Sequence, residues 1–220
     1  MRRSRTSDAK RKCDEVERQT RNANAAKSEM LMTVAGKADF VQYEEKTLKT
    51  EPIYDGSIIR VERLTVELPD GRQATRDIVR HQGASAVVPI TAEGEFLLVR
   101  QFRKPNECIS IEIPAGKLDP GESPEICAMR ELEEETGFRA EQVEKLFSMK
   151  STPGFSDEII HVYLATELHP GEANPDEDEF ISAFPVAVPE ALAMIRDGRI
   201  SDGKTIAGIY AALDRLGRFV

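Results

Sequence analysis

Glu131, Glu134 and Glu135 stand three and four positions apart, the spacing at which side chains become neighbours on a helix surface. Like charges so placed repel, and acids in a last helical turn also meet the negative end of the helix dipole. Folding alone does not ask for this arrangement. A divalent cation reverses the sign, because carboxylate oxygens are the ligands that magnesium and manganese prefer. The plain alternative is a solvated acidic face.

The helix that would carry these acids is well signed. Ser123 suits an N-cap, Pro124 the first helical position, and Gly137 the residue just past the end. With about 100° of rotation per residue, Ile126, Met129 and Leu132 fall on one side and are expected to be buried, with the three glutamates opposite.

Strands must position this helix. Alternating segments at 58–66 and 73–79, split by the turn Leu68-Pro-Asp-Gly71, predict an antiparallel hairpin. Continuously apolar stretches at 84–90 and 95–101 predict strands at the centre of a covered sheet. A short strand at 110–113 and a glycine-bearing loop at 114–122 lead into the helix 124–136. Beyond it the pattern predicts strands at 143–149, 159–165 and 180–185, then helices at 189–197 and 203–216.

From Gly116 the chain reads Gly116, five residues, Glu122, seven residues, Arg130-Glu131-Leu132, one residue, Glu134-Glu135, one residue, Gly137-Phe138. This resembles the Nudix box at every defining position. The resemblance implies an α/β fold of Nudix type, a mixed β-sheet sandwiched between α-helices, with a small N-terminal antiparallel β-sheet. It implies a magnesium or manganese site in which Glu131 and Glu135 are direct ligands, Glu134 is a ligand or acts through water, and the Ala115 carbonyl completes the shell. Arg130 and Glu122 would orient these acids, while Gly116 and Gly137 allow backbone a side chain would obstruct. The attacking water also needs a base. In related ADP-ribose hydrolases a glutamate on a later loop supplies it, and here Pro175-Asp-Glu-Asp-Glu179 stands in that place. Glu177 is the expected base, with Glu179 second. Glu177, Glu134 and Arg130 thus form the expected catalytic centre.

The box leaves the substrate open. Glu112-Ile-Pro-Ala-Gly116, Gln101-Phe-Arg103, Ser151-Thr-Pro-Gly-Phe-Ser-Asp-Glu158 and Asp202-Gly-Lys-Thr205 resemble the ADP-ribose pyrophosphatase branch, in which Pro153 would be the marker proline. By that resemblance Arg103 and Arg76 contact phosphate, Pro153 and Gly154 line the substrate site, and a homodimer forms through the N-terminal sheet. Tyr54, Tyr43 and Phe40 are the aromatic candidates for stacking on a base. The alternatives are hydrolysis of GDP-mannose or ADP-glucose, hydrolysis of damaged nucleoside triphosphates, and a non-catalytic ADP-ribose-binding sensor.

Composition bounds the rest. The net charge is -9, yet residues 1–29 hold nine Lys/Arg against five Asp/Glu, so the acidity lies in the body. An acidic body argues against nucleic acid as a partner, and the absence of a long apolar run argues against a membrane span. The three cysteines, Cys13, Cys108 and Cys127, are scattered, which predicts free thiols in a reducing cytoplasm. The expected organisation is a disordered basic extension at 1–37, an N-terminal β-sheet subdomain for dimerisation at 38–80, and the hydrolase domain at 81–220.

Overall fold

Ala86, Val87 and Val88 are all fully buried, yet neighbours on a strand face opposite ways, so the sheet that holds them must be covered on both sides. The computed structural model describes residues 43–174 and 179–218. It contains ten strands: β1 (Lys46–Asp55), β2 (Ile59–Glu67), β3 (Gln73–His81), β4 (Ala84–Pro89), β5 (Phe96–Arg103), β6 (Cys108–Glu112), β7 (Ala115–Lys117), β8 (Phe138–Lys150), β9 (Ile159–Pro170) and β10 (Ser182–Val186). Three helices accompany them: α1 (Pro124–Thr136), α2 (Val188–Arg196) and α3 (Gly203–Arg215).

The central sheet has the order β7-β4-β9-β8 and is mixed, with β4 parallel to β9 and the other pairs antiparallel. Val87, Tyr163 and Ala165 point to one face and pack on Ala128 and Leu132 of α1. Ala86, Val88, Val162 and Leu164 point to the other and pack on Ile209, Ala212 and Leu213 of α3. The sheet is therefore sandwiched between helices. A second sheet, β10-β5-β6, shares the larger of these cores through Phe96 and Leu98, and a third has the order β1-β2-β3. Among the described residues, contacts gather 47–67 with 73–174 and 179–218 into one compact unit. Within 68–72 a tight turn forms, in which the Gly71 N–H donates to the Leu68 carbonyl at 2.9 Å and Gly71 takes φ +83. No helix among the described residues is long and apolar enough to cross a membrane.

Alternation and punctuation locate most elements to within a few residues. The pattern misses two strands. β1 is exposed at nearly every position, so it carries no apolar signal, and β7 is three residues long. It also understates β8 and β9, which run to 13 and 12 residues because their outer ends pair with each other beyond the apolar stretch.

One expectation is reversed for Ile126 and Met129, while Leu132 is buried as expected. Ile126 and Met129 are 60% and 43% exposed, whereas Cys127, Ala128, Glu131, Leu132 and Glu135 are buried. Small residues form the packed face of α1, because they let the helix lie close on β4, and hydrophobic periodicity gives such residues little weight. Two of the three glutamates thereby turn inward. Replacing Leu132 by Ala is expected to lower unfolding free energy by about 3 kcal/mol, and Met129→Ala to change it by less than about 0.5 kcal/mol. Urea denaturation of the two variants measures this, and equal losses would restore the reversed face.

Candidate active site

Ser123 caps α1 through the Ile126 N–H at 3.3 Å, and Gly137 ends it at φ +73, a conformation side chains disfavour. Between these ends the buried face of α1 lies against β7. The Ala115 N–H donates to Glu135 Oε2 at 3.3 Å. A Cβ on Gly116 would overlap the Glu131 carboxylate, so only glycine leaves that acid its seat. The Cys127 thiol donates to the Lys117 carbonyl at 3.4 Å, and burial beside Glu122 and Glu131 pushes it up to about 12, a structural thiol. Cys108 is exposed and also free. Cys13 lies outside the described residues.

Arg130 organises the acids. Its Nη1 donates to Glu131 Oε1 at 2.7 Å and to Glu134 Oε2 at 2.9 Å, while Nε and Nη2 both donate to the Glu122 carboxylate at 3.0 Å. These are charge-assisted bonds with a planar fork, the strong kind. Burial raises the Glu131 carboxyl above its ordinary value, Arg130 pulls it partly back, and the charges of Glu134 and Glu179 raise it again. Glu135 has no such counter-ion: burial, then the charge of Glu131, pushes it up to about 8.

Among the described residues no three His, Cys, Asp or Glu side chains are gathered closely enough to hold a metal ion, and the carboxylates are grouped around the Arg130 guanidinium instead. That guanidinium already stands as a cation between two of them. The donor chemistry, three carboxylates and a backbone carbonyl with Glu135 outside any ion pair, fits a hard divalent cation.

The other expected residues are placed as follows. Arg103 ends β5 and grips Glu112 of β6 with a two-pronged bond, Nε and Nη2 each at 2.8 Å. Glu112 is 3% exposed. Burial would raise its carboxyl, but Arg103 and Lys204 together overcome this and hold it at about 2. Arg103, Glu112, Asp202 and Lys204 line a cleft of about 400 Å³, and Glu135 feels the charge of Lys204. Arg76 is on β3, where Nη1 donates to the Thr75 carbonyl at 2.9 Å. The loop of Pro153 and Gly154 docks on the same strand, since the Val79 N–H donates to the Phe155 carbonyl at 2.7 Å and Asp157 accepts the His81 N–H at 2.9 Å. Tyr54 and Tyr43 are exposed. Phe40 and Glu177 lie outside the described residues. Glu179 is described, and its charge acts on both Glu131 and Glu135. Just before it in the chain, the Asn174 N–H donates to the Glu134 carbonyl at 3.0 Å, at the end of α1.

Sequence reasoning valued Glu112 and Asp202-Gly-Lys-Thr205 only for resemblance. In the structure they join: Asp202 caps α3 through the Thr205 N–H at 2.9 Å, and Lys204 bonds Glu112 and Asp202. An aspartate three residues before a threonine at the head of an apolar run was the available signal for the cap.

Comparison with known proteins adds a family. The NUDIX domain profile matches residues 79–208, and that of the nucleoside diphosphate sugar hydrolase N-terminal domain matches residues 45–79. A methanol dehydrogenase activator of Bacillus methanolicus is 49% identical over 76% of this chain and 91% of its own length. An ADP-ribose pyrophosphatase of Bacillus subtilis (strain 168) is 46% identical over the same shares. A solved ADP compounds hydrolase superposes with a TM-score of 0.71 at 22% identity, covering 80% of this chain and 97% of that one.

The raised Glu135 carboxyl has a consequence for stability. Folded and free of metal, it holds its proton up to about pH 8, while the unfolded chain releases it near 4.5. Between these values the folded state binds more protons, so stability falls as pH rises. In EDTA the melting temperature is expected to decline from about pH 4.5 to about pH 8, and more gently in Glu135→Gln; an identical slope in the variant would remove Glu135 as the cause.

Proposed function

The chain belongs to the Nudix hydrolase family, and on that premise we propose that it cleaves the pyrophosphate bond of ADP-ribose, or a close nucleoside diphosphate sugar, giving AMP and ribose 5-phosphate. The observation that carries this reading is the seating of Glu131 and Glu135 against Ala115 and Gly116. Two acids are buried there with one guanidinium, an arrangement that stability disfavours and cation binding requires.

Glu131, Glu134, Glu135 and the Ala115 carbonyl are the residues to hold the ion, magnesium first and manganese second. A bound divalent ion supplies charge neutralisation on adjacent phosphates and lowers the pKa of water. Everything else falls to the chain. Arg130, braced on Glu122, holds Glu131 and Glu134 together, and the Ala115 N–H holds Glu135. Arg103, with two of its donors fixed on Glu112, directs the rest of its fork to phosphate across the cleft, and Arg76, Pro153 and Gly154 belong to the substrate side. A loop glutamate accepts the proton of the attacking water as its oxygen bonds to phosphorus, and the bridging P–O bond breaks to release the second monophosphate. Glu177 and Glu179 both fit by position in the chain. The field of Glu179 at Glu131 and Glu135 supports Glu179.

The substrate reading rests on the ADP-ribose pyrophosphatase relative together with the Pro153 segment. Exposed Leu48, Ile53 and Tyr54 on β1 support homodimerisation through the N-terminal sheet, and the free thiols support a cytoplasmic setting.

Purified protein is to be incubated with ADP-ribose, GDP-mannose, diadenosine polyphosphates and 8-oxo-dGTP, with magnesium and then with EDTA. AMP and ribose 5-phosphate are expected to form fastest and only with metal, and Glu134→Gln to slow kcat by about tenfold or more. Whichever of Glu177→Gln and Glu179→Gln lowers kcat by about a hundredfold identifies the base. Faster cleavage of another substrate refutes the ADP-ribose reading; binding of ADP-ribose without cleavage makes the protein a sensor.

A further inference from the structure

The segment 112–116 is held from two directions. On the α1 side, Ala115 gives its N–H to Glu135 and Gly116 makes room for Glu131. On the opposite side of the sheet, the first turn of α3 grips Glu112 and Ile113. The Ile113 N–H donates to Thr205 Oγ1 at 2.9 Å, and Thr205 Oγ1 donates to Asp202 Oδ2 at 2.6 Å. Ile113 and Thr205 are fully buried. Lys204 Nζ bonds Glu112 Oε2, and reaches Asp202 Oδ2 at 3.1 Å. Between the two grips, Pro114 offers its carbonyl to the Val87 N–H at 2.9 Å, and Ala115 pairs with Ala86 on the central strand.

Five consecutive residues thus span the sheet from α3 to α1, with each end fixed by a helix. A hydroxyl can donate one hydrogen bond and accept two, so Thr205 accepts from the Ile113 backbone while it donates to the α3 cap. Isoleucine and proline allow the segment little freedom to bend between its ends. Any displacement at Ile113 is passed to the Ala115 N–H and to the Gly116 surface where the glutamates sit.

We propose that Thr205 and Lys204 are positioning residues for the hydrolytic site, and that the first turn of α3 sets the height of the 112–116 segment and through it the seats of Glu131 and Glu135. The inference rests on the metal-dependent hydrolase reading above. Residues that orient the ligands of a metal act on affinity by roughly ten- to a hundredfold without touching the ion. Thr205, fully buried, acts without touching substrate.

Mn²⁺ binding measured by calorimetry, well below the melting temperature, tests this without turnover. Thr205→Val, which keeps shape and loses both bonds, is expected to raise the Mn²⁺ dissociation constant by about tenfold. It should lower kcat by a similar factor and leave KM within about twofold, with Thr205→Ser restoring both. Lys204→Met, which leaves the Ile113 bond intact, moves the constant the same way by a smaller factor and serves should Thr205→Val not fold. Met194→Ala, a buried change in α2, is the control for lost stability alone. The proposal is overturned if Thr205→Val and Lys204→Met both bind Mn²⁺ as the parent does, or if Met194→Ala weakens binding equally. Failure of the parent protein to bind Mn²⁺ would instead remove the hydrolase reading, and this inference with it.

Discussion

The structure depends on how it accommodates two buried carboxyl groups, Glu131 and Glu135, beside each other. Removing such groups from water costs several kcal/mol each, and nothing in an apolar core repays that. The Arg130 guanidinium offsets part of the cost by bonding Glu131, Glu134 and Glu122 together. Glu135 is left to hold its proton in the absence of a cation. Much of the surrounding architecture serves this constraint. α1 lies close to the sheet on small residues, β7 is short and carries the glycine under Glu131, and α3 fixes the backbone leading into it.

A second charged group of opposite character stands next to the first. Glu112 is as buried as Glu135, but it meets Arg103 and Lys204 and is held far down as a carboxylate. The contrast between an acid in ion pairs and one outside them, one segment apart, separates two kinds of buried carboxyl group. Glu112 ties strands and α3 together through fixed charges. Glu135, which has no ion pair, keeps its proton instead. Buried acids within one site are thus told apart by their partners.

How much of this was legible before the fold was known depended on the kind of signal. The bounds of α1 were readable because Ser123, Pro124 and Gly137 act locally, through caps and backbone conformations that do not depend on distant residues. The strands β4 and β5 were readable from runs of buried residues. The inward face of α1 was not. Ala128 and Leu132 pack against Val87 and Tyr163, which are distant in sequence, and no property of an isolated helix selects that face over the one bearing Ile126 and Met129. β1 was also hidden, since strand pairing can hold a chain that exposes nearly every side chain.

For the site the division is similar. The sequence by itself determined which residues are chemically suited, because Glu131, Glu134, Glu135, Arg130 and Gly116 are related by helix spacing and by a motif of fixed length. Tertiary structure decided what each of them touches: that Gly116 lies beneath Glu131, that Arg103 spends two donors on Glu112, and that Thr205 reaches across to Ile113 from 92 positions away. The physical reason is range. Spacing and propensity act over a turn or two of chain, whereas the pairing of buried polar groups is settled only when separate elements close around them and exclude water.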